Sequence, residues 1–269
     1  MPELPEVEAV SRRLREQVTG AEIRRAQVLR PRSTYPQPPS KVEHLAAGRT
    51  IEAVQRRGKH ILIYLSGGIV LGCHLRMTGN LHVVPDAGTR PASTRLYLEL
   101  ADGRGIVLND PRALGVMNAF PLAQAETLMN KLGIEPLSAE FTPERLIEFA
   151  ARSKMPVKVF LMDQRFISGL GNIYAAEALY RARIHPATPA SQIRPVRLRR
   201  LHAAIVDVLN DAVKSAYIAY ERPGQFREAE RFPLAVYGRE GVCCSVCHRK
   251  IRRLTQAGRS TYYCPGCQR

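Results

Sequence analysis

The sequence predicts an α+β protein of two domains, in which an N-terminal helix and a β-sandwich precede a helical region closed by a cysteine-held β-hairpin. Three features carry that prediction. The chain opens on an amphipathic repeat, seven short apolar runs broken by turn residues fill positions 21–120, and helical patterns ending in a cysteine cluster occupy the remainder.

Between residues 3 and 18, Leu4, Val7, Val10, Leu14 and Val18 recur at steps of three and four with Arg12, Arg13, Arg15 and Glu16 between them. That spacing puts one apolar stripe on a helix. The runs Ile23–Leu29, Ile51–Gln55, Ile61–Leu65, Ile69–Leu75, Leu81–Val84, Leu96–Leu100 and Ile106–Leu108 then read as strands, with Ser66-Gly-Gly68 and Ala101-Asp-Gly-Arg-Gly105 as hairpin connections. Seven strands in a hundred residues predict a sandwich or barrel. After Pro121, helices are expected at 122–132, 143–152, 156–163, 172–182 and 196–218, with Thr142-Pro143 as an N-cap and first-turn proline. Residues 221–232 mix proline, glycine and charge without period and read as a loop. The expected organisation is 1–120 for the helix and sandwich, 121–140 for a linker and the start of the helical region, 141–233 for the helical domain and 234–269 for the hairpin unit.

The charge balance narrows the partners. Lys and Arg number 40 against 24 Asp and Glu, a net charge of +16 with histidines neutral, and 45% hydrophobic residues are enough to bury real cores. An anionic partner is expected. Nucleic acid is favoured over a membrane surface, because there is no basic amphipathic helix with a Trp or Phe face and Trp is absent altogether. No apolar run approaches the ~20 residues of a membrane helix, and the opening lacks the basic start and apolar stretch of a signal peptide. The expectation is a cytoplasmic protein.

Of six cysteines, five lie between 243 and 267. Cys244 and Cys247 are two residues apart in the Cys-x-x-Cys sense, as are Cys264 and Cys267, and two such knuckles can close four thiolates around one structural zinc ion. With all four positions supplied by protein, such an ion has no open site for catalysis. Two disulfides or four free thiols are the alternatives. Cys243 reads as a bystander, Cys73 as a packed core thiol. Residues 251–263 alternate as a hairpin with Ala257-Gly258 at its tip, followed by Arg259.

At the other end, Pro2 carries a secondary amine once Met1 is removed. An α-amino group, with a reference pKa near ~8, is partly neutral at pH 7 and can attack an electrophilic carbon. Glu3 and Glu6 stand one helical turn apart beside it, in reach of proton transfer. Acids in a first turn also simply favour the helix dipole, so these residues admit a structural reading too.

Taken together, Met1-Pro-Glu-Leu-Pro-Glu-Val-Glu8, Arg57-Gly-Lys-His60, His74-Leu-Arg-Met-Thr-Gly79, Asp110-Pro-Arg112, Gly133-Ile-Glu-Pro-Leu-Ser138, Asp163-Gln164, Gly169-Leu-Gly-Asn-Ile-Tyr174, Val236-Tyr-Gly-Arg239 and Gly258-Arg-Ser-Thr-Tyr-Tyr-Cys264 resemble the formamidopyrimidine-DNA glycosylase (MutM) family of the Fpg/Nei type. Their order and spacing carry the resemblance along nearly the whole chain. It implies a helix-two-turn-helix domain with a C-terminal zinc ribbon, and a bifunctional DNA glycosylase and AP lyase of base excision repair.

By the same resemblance, Pro2 is the nucleophile that displaces an oxidised base from C1′ and holds the sugar as a Schiff base before β,δ-elimination. Glu3 would shuttle the proton that opens the deoxyribose ring, Glu6 would organise the nucleophile and lesion, and Lys59 would contact phosphate beside the scission site. Met77 and Arg112 would fill the duplex where the base is flipped out. Asn172 and Arg259 would hold backbone phosphate together with Lys59. The implied partner is double-stranded DNA with a damaged base, bound by a monomer, with zinc as the one cofactor and no catalytic metal.

Two departures bear on lesion choice. Leu114 stands where the family usually has a wedging phenylalanine, and Ser215–Tyr220 replaces a glycine-rich run before the lesion loop, of which Arg222-Pro-Gly-Gln-Phe226 keeps an echo. Oxidised purines are expected, with a pyrimidine or other lesion preference as an alternative. A zinc-ribbon protein that binds damaged or structured nucleic acid without cutting it, and an RNA-binding factor, are the rivals from other classes.

Overall fold

Helix α1 (Leu4–Val18) is the predicted amphipathic element, and Leu4, Val7, Val10, Leu14 and Val18 are all buried. It belongs to a computed structural model that describes residues 2–86, 88–220, 229 and 231–269. Two compact units divide the chain, Met1–Lys131 with Ala216–Glu230, and Leu132–Ser215 with Arg231–Arg269.

In the first unit the strands are β1 (Glu22–Val28), β2 (Arg49–Arg57), β3 (His60–Leu65), β4 (Ile69–His74), β5 (Asn80–Val84), β6 (Thr94–Leu100), β7 (Gly105–Asn109) and β8 (Val116–Pro121). They run antiparallel in the order β5-β7-β6-β1-β2-β3-β4-β8. The β1–β2 ladder registers only Glu22 with Thr50 and Ile23 with Arg49, so it acts as the corner between two four-stranded leaves. Alternate residues from both leaves, Leu96, Leu98 and Ile106 on one and Ile61, Ile63, Cys73 and Met117 on the other, meet in one core with α1. This is the expected sandwich, each strand giving every second side chain to the interior.

Two elements escaped the sequence pattern. Helix α2 (Pro39–Ala46) is eight residues long and buries only Val42 and Ala46, too short a stripe to show a period. Strand β8 hides because Asn118 interrupts its apolar run; the Asn118 amide is buried, donating to the Thr34 carbonyl.

The chain then forms α3 (Leu122–Met129), α4 (Pro143–Ala151), α5 (Val157–Leu161), α6 (Asn172–Arg181) and α7 (Pro195–Ala219). Thr142 caps α4 as expected, its side chain accepting the Arg145 N–H at 3.2 Å. The α5–α6 connection is pinned by Gln164, which donates to the Met162 and Leu170 carbonyls and accepts the Gly169 N–H at 2.8 Å. Strands β9 (Arg252–Gln256) and β10 (Arg259–Tyr263) form the expected hairpin, and Ala257 and Gly258 turn it with φ of 47° and 72°. The region expected as one helical domain over 141–233 is shared. Residues 216–230 go with the first unit, where Ala216 and Tyr220 are buried in the sandwich core and the Tyr220 hydroxyl donates to the Leu81 carbonyl at 2.5 Å.

Candidate active site and nucleic-acid interface

The α1 helix begins with a reciprocal capping box. The Glu3 N–H donates to Glu6 Oε2 at 2.8 Å, while the Glu3 side chain accepts the Glu6 N–H. Glu6 Oε1 accepts the Ala229 N–H at 3.0 Å, so both of its oxygens are held by backbone. Pro2 is buried beside them, and Glu3 and Glu6 are only 1% and 0% exposed.

Lys59 follows Gly58, whose φ of 57° demands the left-handed turn between β2 and β3. Lys59 is itself 7% exposed. Arg56 braces this turn: its Nε donates to Glu8 Oε2 on α1 at 2.8 Å and its guanidinium also donates to the Gly58 carbonyl at 3.0 Å. One side chain thus ties the helix that carries Pro2 and Glu3 to the turn that carries Lys59.

Met77 and Arg112 sit on two turns that share one carboxylate. Asp110, fully buried, accepts the Thr78 hydroxyl and the Arg112 N–H with one oxygen, and the Leu114 and Gly115 N–H groups at 2.7 Å each with the other. Met77 is 43% exposed, Arg112 is exposed and Leu114 half-buried. His74 Nδ1 accepts the Arg76 N–H at 3.0 Å. Burial, then His60, Arg76 and Lys59, push its pKa down to about 3, so the ring is neutral at pH 7 and remains an acceptor. Cys73 is a packed core thiol as expected, pushed up to about 12 by burial and then by Asp110.

In the second unit, Asn172 is the first residue of α6, with Gly171 rather than Asn172 at the N-cap. Freed from capping, the Asn172 side chain faces the hairpin: Nδ2 donates to the Ser260 carbonyl at 3.1 Å, and Oδ1 accepts from Lys158 Nζ. Lys158, completely buried, also donates to Thr261 Oγ1 at 2.8 Å. Asn172 and exposed Arg259 are therefore neighbours through Ser260, fastened by a lysine that sequence reasoning missed. Its only sequence signal is a cation enclosed by Val157, Val159, Phe160 and Leu161.

The four cysteines of the two knuckles converge at the other end of the hairpin, all four sulfurs within 4.8 Å of one another. A tetrahedron with ~2.3 Å bonds has sulfurs roughly 3.8 Å apart, and the Cys244–Cys267 and Cys247–Cys264 separations are 3.8 and 3.3 Å. The cluster fits a metal ion, while Cys243 stays outside it and exposed. Helix α6 supports this end as well. Glu177 accepts the N–H groups of Ala235, Val236 and Tyr237 at 2.8–3.0 Å, and the Tyr180 hydroxyl lies 3.2 Å from Cys244 Sγ. Burial, then Cys244, push the Tyr180 phenol up to about 12, so it keeps its proton for that sulfur.

Family models describe both units. Residues 1–117 match the formamidopyrimidine-DNA glycosylase N-terminal domain and 132–221 match the H2TH domain of the same enzymes. The chain belongs to the formamidopyrimidine-DNA glycosylase family. Enzymes of that name from Chloroflexus aurantiacus and Thermus thermophilus are each 40% identical over 100% of this chain and 98% of their own. Among solved structures, Lactococcus lactis Fpg bound to DNA with an abasic site is 30% identical with a TM-score of 0.90, covering 99% of both chains. The same enzyme bound to DNA containing an oxidised pyrimidine is 32% identical, with a TM-score of 0.89 and full coverage of both.

Against the formamidopyrimidine-DNA glycosylase pattern, the Ser215–Tyr220 stretch is a finding. Up to Ala219 it is the last turn of α7, and its buried Ala216 and Tyr220 make it core rather than lesion loop. The charged stretch after it, 221–228, lies outside the described residues. No helix among the described residues is long and apolar enough to cross a membrane.

Proposed function

We propose that this DNA glycosylase excises oxidised bases, chiefly purines, with Pro2 as nucleophile and then nicks the strand as an AP lyase. The Pro2 nitrogen forms a bond to C1′ and gives up its proton as the bond to the damaged base breaks, and the Schiff base forms when the C1′–O4′ bond then breaks. Glu3 moves the proton that opens the deoxyribose ring, and β,δ-elimination releases the strand ends. Glu6 organises the first turn, Lys59, Asn172 and Arg259 hold phosphates, and Met77, Arg112 and Leu114 occupy the duplex at the extruded nucleotide.

The observation that carries this reading is the burial of Glu3 and Glu6 beside Pro2. Carboxylates are taken out of water where they have work to do, and here two of them surround the start of the chain. The metal of the four-thiolate cluster is zinc: a closed set of four sulfurs suits it, and its part is to hold the hairpin base.

Borohydride trapping on an abasic duplex tests the reading. A covalent adduct with the wild-type enzyme, lost in Pro2→Gly, is expected. Tight duplex binding with no adduct would overturn it in favour of a binding protein, and an excision panel over oxidised purines and pyrimidines assigns the lesion.

A further inference from the structure

A second basic feature lies in the metal-bearing unit, among residues to which the excision reaction gives no task. Arg183, Arg194, Arg197, Arg200 and Arg269 line an open concavity of about 530 Å³. Cys247 and Cys267 stand on its rim, which places it at the cysteine end of the hairpin. Arg259 is at the opposite end, five strand residues or roughly 16 Å away.

No acidic side chain among the described residues neutralises the cluster, although Arg197 donates to an oxygen of Arg269, the last residue of the chain. Among the described residues, no Asp or Glu side chain forms an ion pair with any of the five arginines. Arg197 donates to the backbone oxygens of Arg183 and Arg269 at 2.9 and 2.7 Å, and the other four are exposed. A zinc–tetrathiolate centre would carry a charge of about −2, less than half of what five guanidiniums supply. Arg183 also holds φ of 56° just past the end of α6, a left-handed position that glycine takes without strain. A guanidinium is thus kept in the groove where a glycine would be easier.

We propose that this groove is a second nucleic-acid site, binding the phosphate backbone of a duplex segment other than the one that carries the lesion. Its width excludes a lone phosphate as the natural occupant, since Arg194 to Arg200 alone span ~9 Å of helix. Arginine forks suit phosphate oxygens. No aromatic side chain lines the groove, so it offers no stacking platform for the bases of a single strand. The site reads charge, and its contacts are independent of sequence and of damage.

The test counts bound duplexes. At low salt, native mass spectrometry or sedimentation with a short undamaged duplex of about 12 base pairs should give two per wild-type protein. The variant Arg183→Gly/Arg194→Gln/Arg200→Gln keeps Arg197 and its backbone bonds; it should bind one duplex, lose at least tenfold in affinity for the second, and lower the salt slope for that step by about three. Borohydride trapping on an abasic duplex should be unchanged in it. Zinc content and the thermal midpoint verify folding, and Arg200→Gln alone, at an exposed position, should still weaken the second duplex several-fold. A wild-type stoichiometry of one, or two duplexes retained by the triple variant, overturns the proposal. So does a groove that takes poly-glutamate or single-stranded DNA in preference to the duplex. The duplex count and its salt dependence do not depend on whether Pro2 is the nucleophile.

Discussion

Glu8 and Arg56 join helix α1, which follows directly on Pro2 and Glu3, to the turn that presents Lys59. The Glu8 carboxylate, 15% exposed, receives Arg56 at 2.8 Å and Arg12 at 2.7 Å. Burial pushes its pKa up, but the two guanidiniums outweigh that and hold it below the usual carboxylate value. The folded pKa is therefore below the unfolded one. The stability from this link is fully present above the unfolded value of ~4.3 and is lost as pH falls through the folded value. Glu8→Gln should cost about 1–2 kcal/mol at pH 7, and urea unfolding should show the gap to wild type closing as pH falls below the ordinary carboxylate range. A gap that stays constant over the same fall in pH would remove the ion pair from the account.

Asp110 fastens both the Met77 turn and the Arg112 turn. Asp110→Ala leaves three backbone N–H groups and the Thr78 hydroxyl without their acceptor, a loss of about 3 kcal/mol in stability. Affinity for an abasic duplex should fall at least tenfold, measured by fluorescence anisotropy where the variant is still folded. Unchanged affinity would show that the two turns keep their shape without it.

For Lys158, a volume-matched apolar replacement separates stability from positioning. Lys158→Met should cost about 1–3 kcal/mol, because Asn172 Oδ1 and Thr261 Oγ1 lose their donor while the desolvated charge is removed. Duplex affinity should also drop roughly tenfold, because Asn172 loses the cation that orients its amide. Equal binding by Lys158→Met and wild type would contradict the positioning role.

The metal cluster makes two graded predictions. Cys244→Ser should lose the metal and weaken DNA binding while the sandwich unit stays folded, seen as retained protection of its strands in hydrogen exchange. Tyr180→Phe should keep the metal but release it to a chelator several-fold faster, as hydrogen bonds to a ligating sulfur commonly tune affinity. Tight DNA binding by metal-free protein would count against a structural role for the ion.

Glu6 offers a local test of the first turn. With Glu6→Gln, an NH₂ replaces one acceptor, and either the Glu3 or the Ala229 N–H loses its partner at a cost of about 1–3 kcal/mol. Faster exchange of the Ala229 amide is the expected signature, and an unaltered rate would refute the link.

Local chemistry made much of this legible in advance. The stripe of α1, the glycine turns, the Thr142 cap and the paired Cys-x-x-Cys knuckles each act over a few residues, so their periods and spacings are written in consecutive letters. The motif residues were legible as chemistry: an amine, two acids, a lysine and an arginine at a hairpin tip. What escaped was either too short to show a period, as with α2, or broken by a buried polar residue, as with β8.

The sequence alone determined most of the elements, the four-sulfur set and the family, since those depend on residue types and intervals along the chain. Tertiary structure decided which polar groups are fastened to which. Lys158 meets Thr261 across 103 positions, Glu6 meets Ala229 across 223, and Tyr220 meets Leu81 across 139. Such pairs leave no local period, because a buried charge or hydroxyl takes whatever partner folding brings to it, and the need to satisfy it is a property of the interior rather than of its neighbours in sequence.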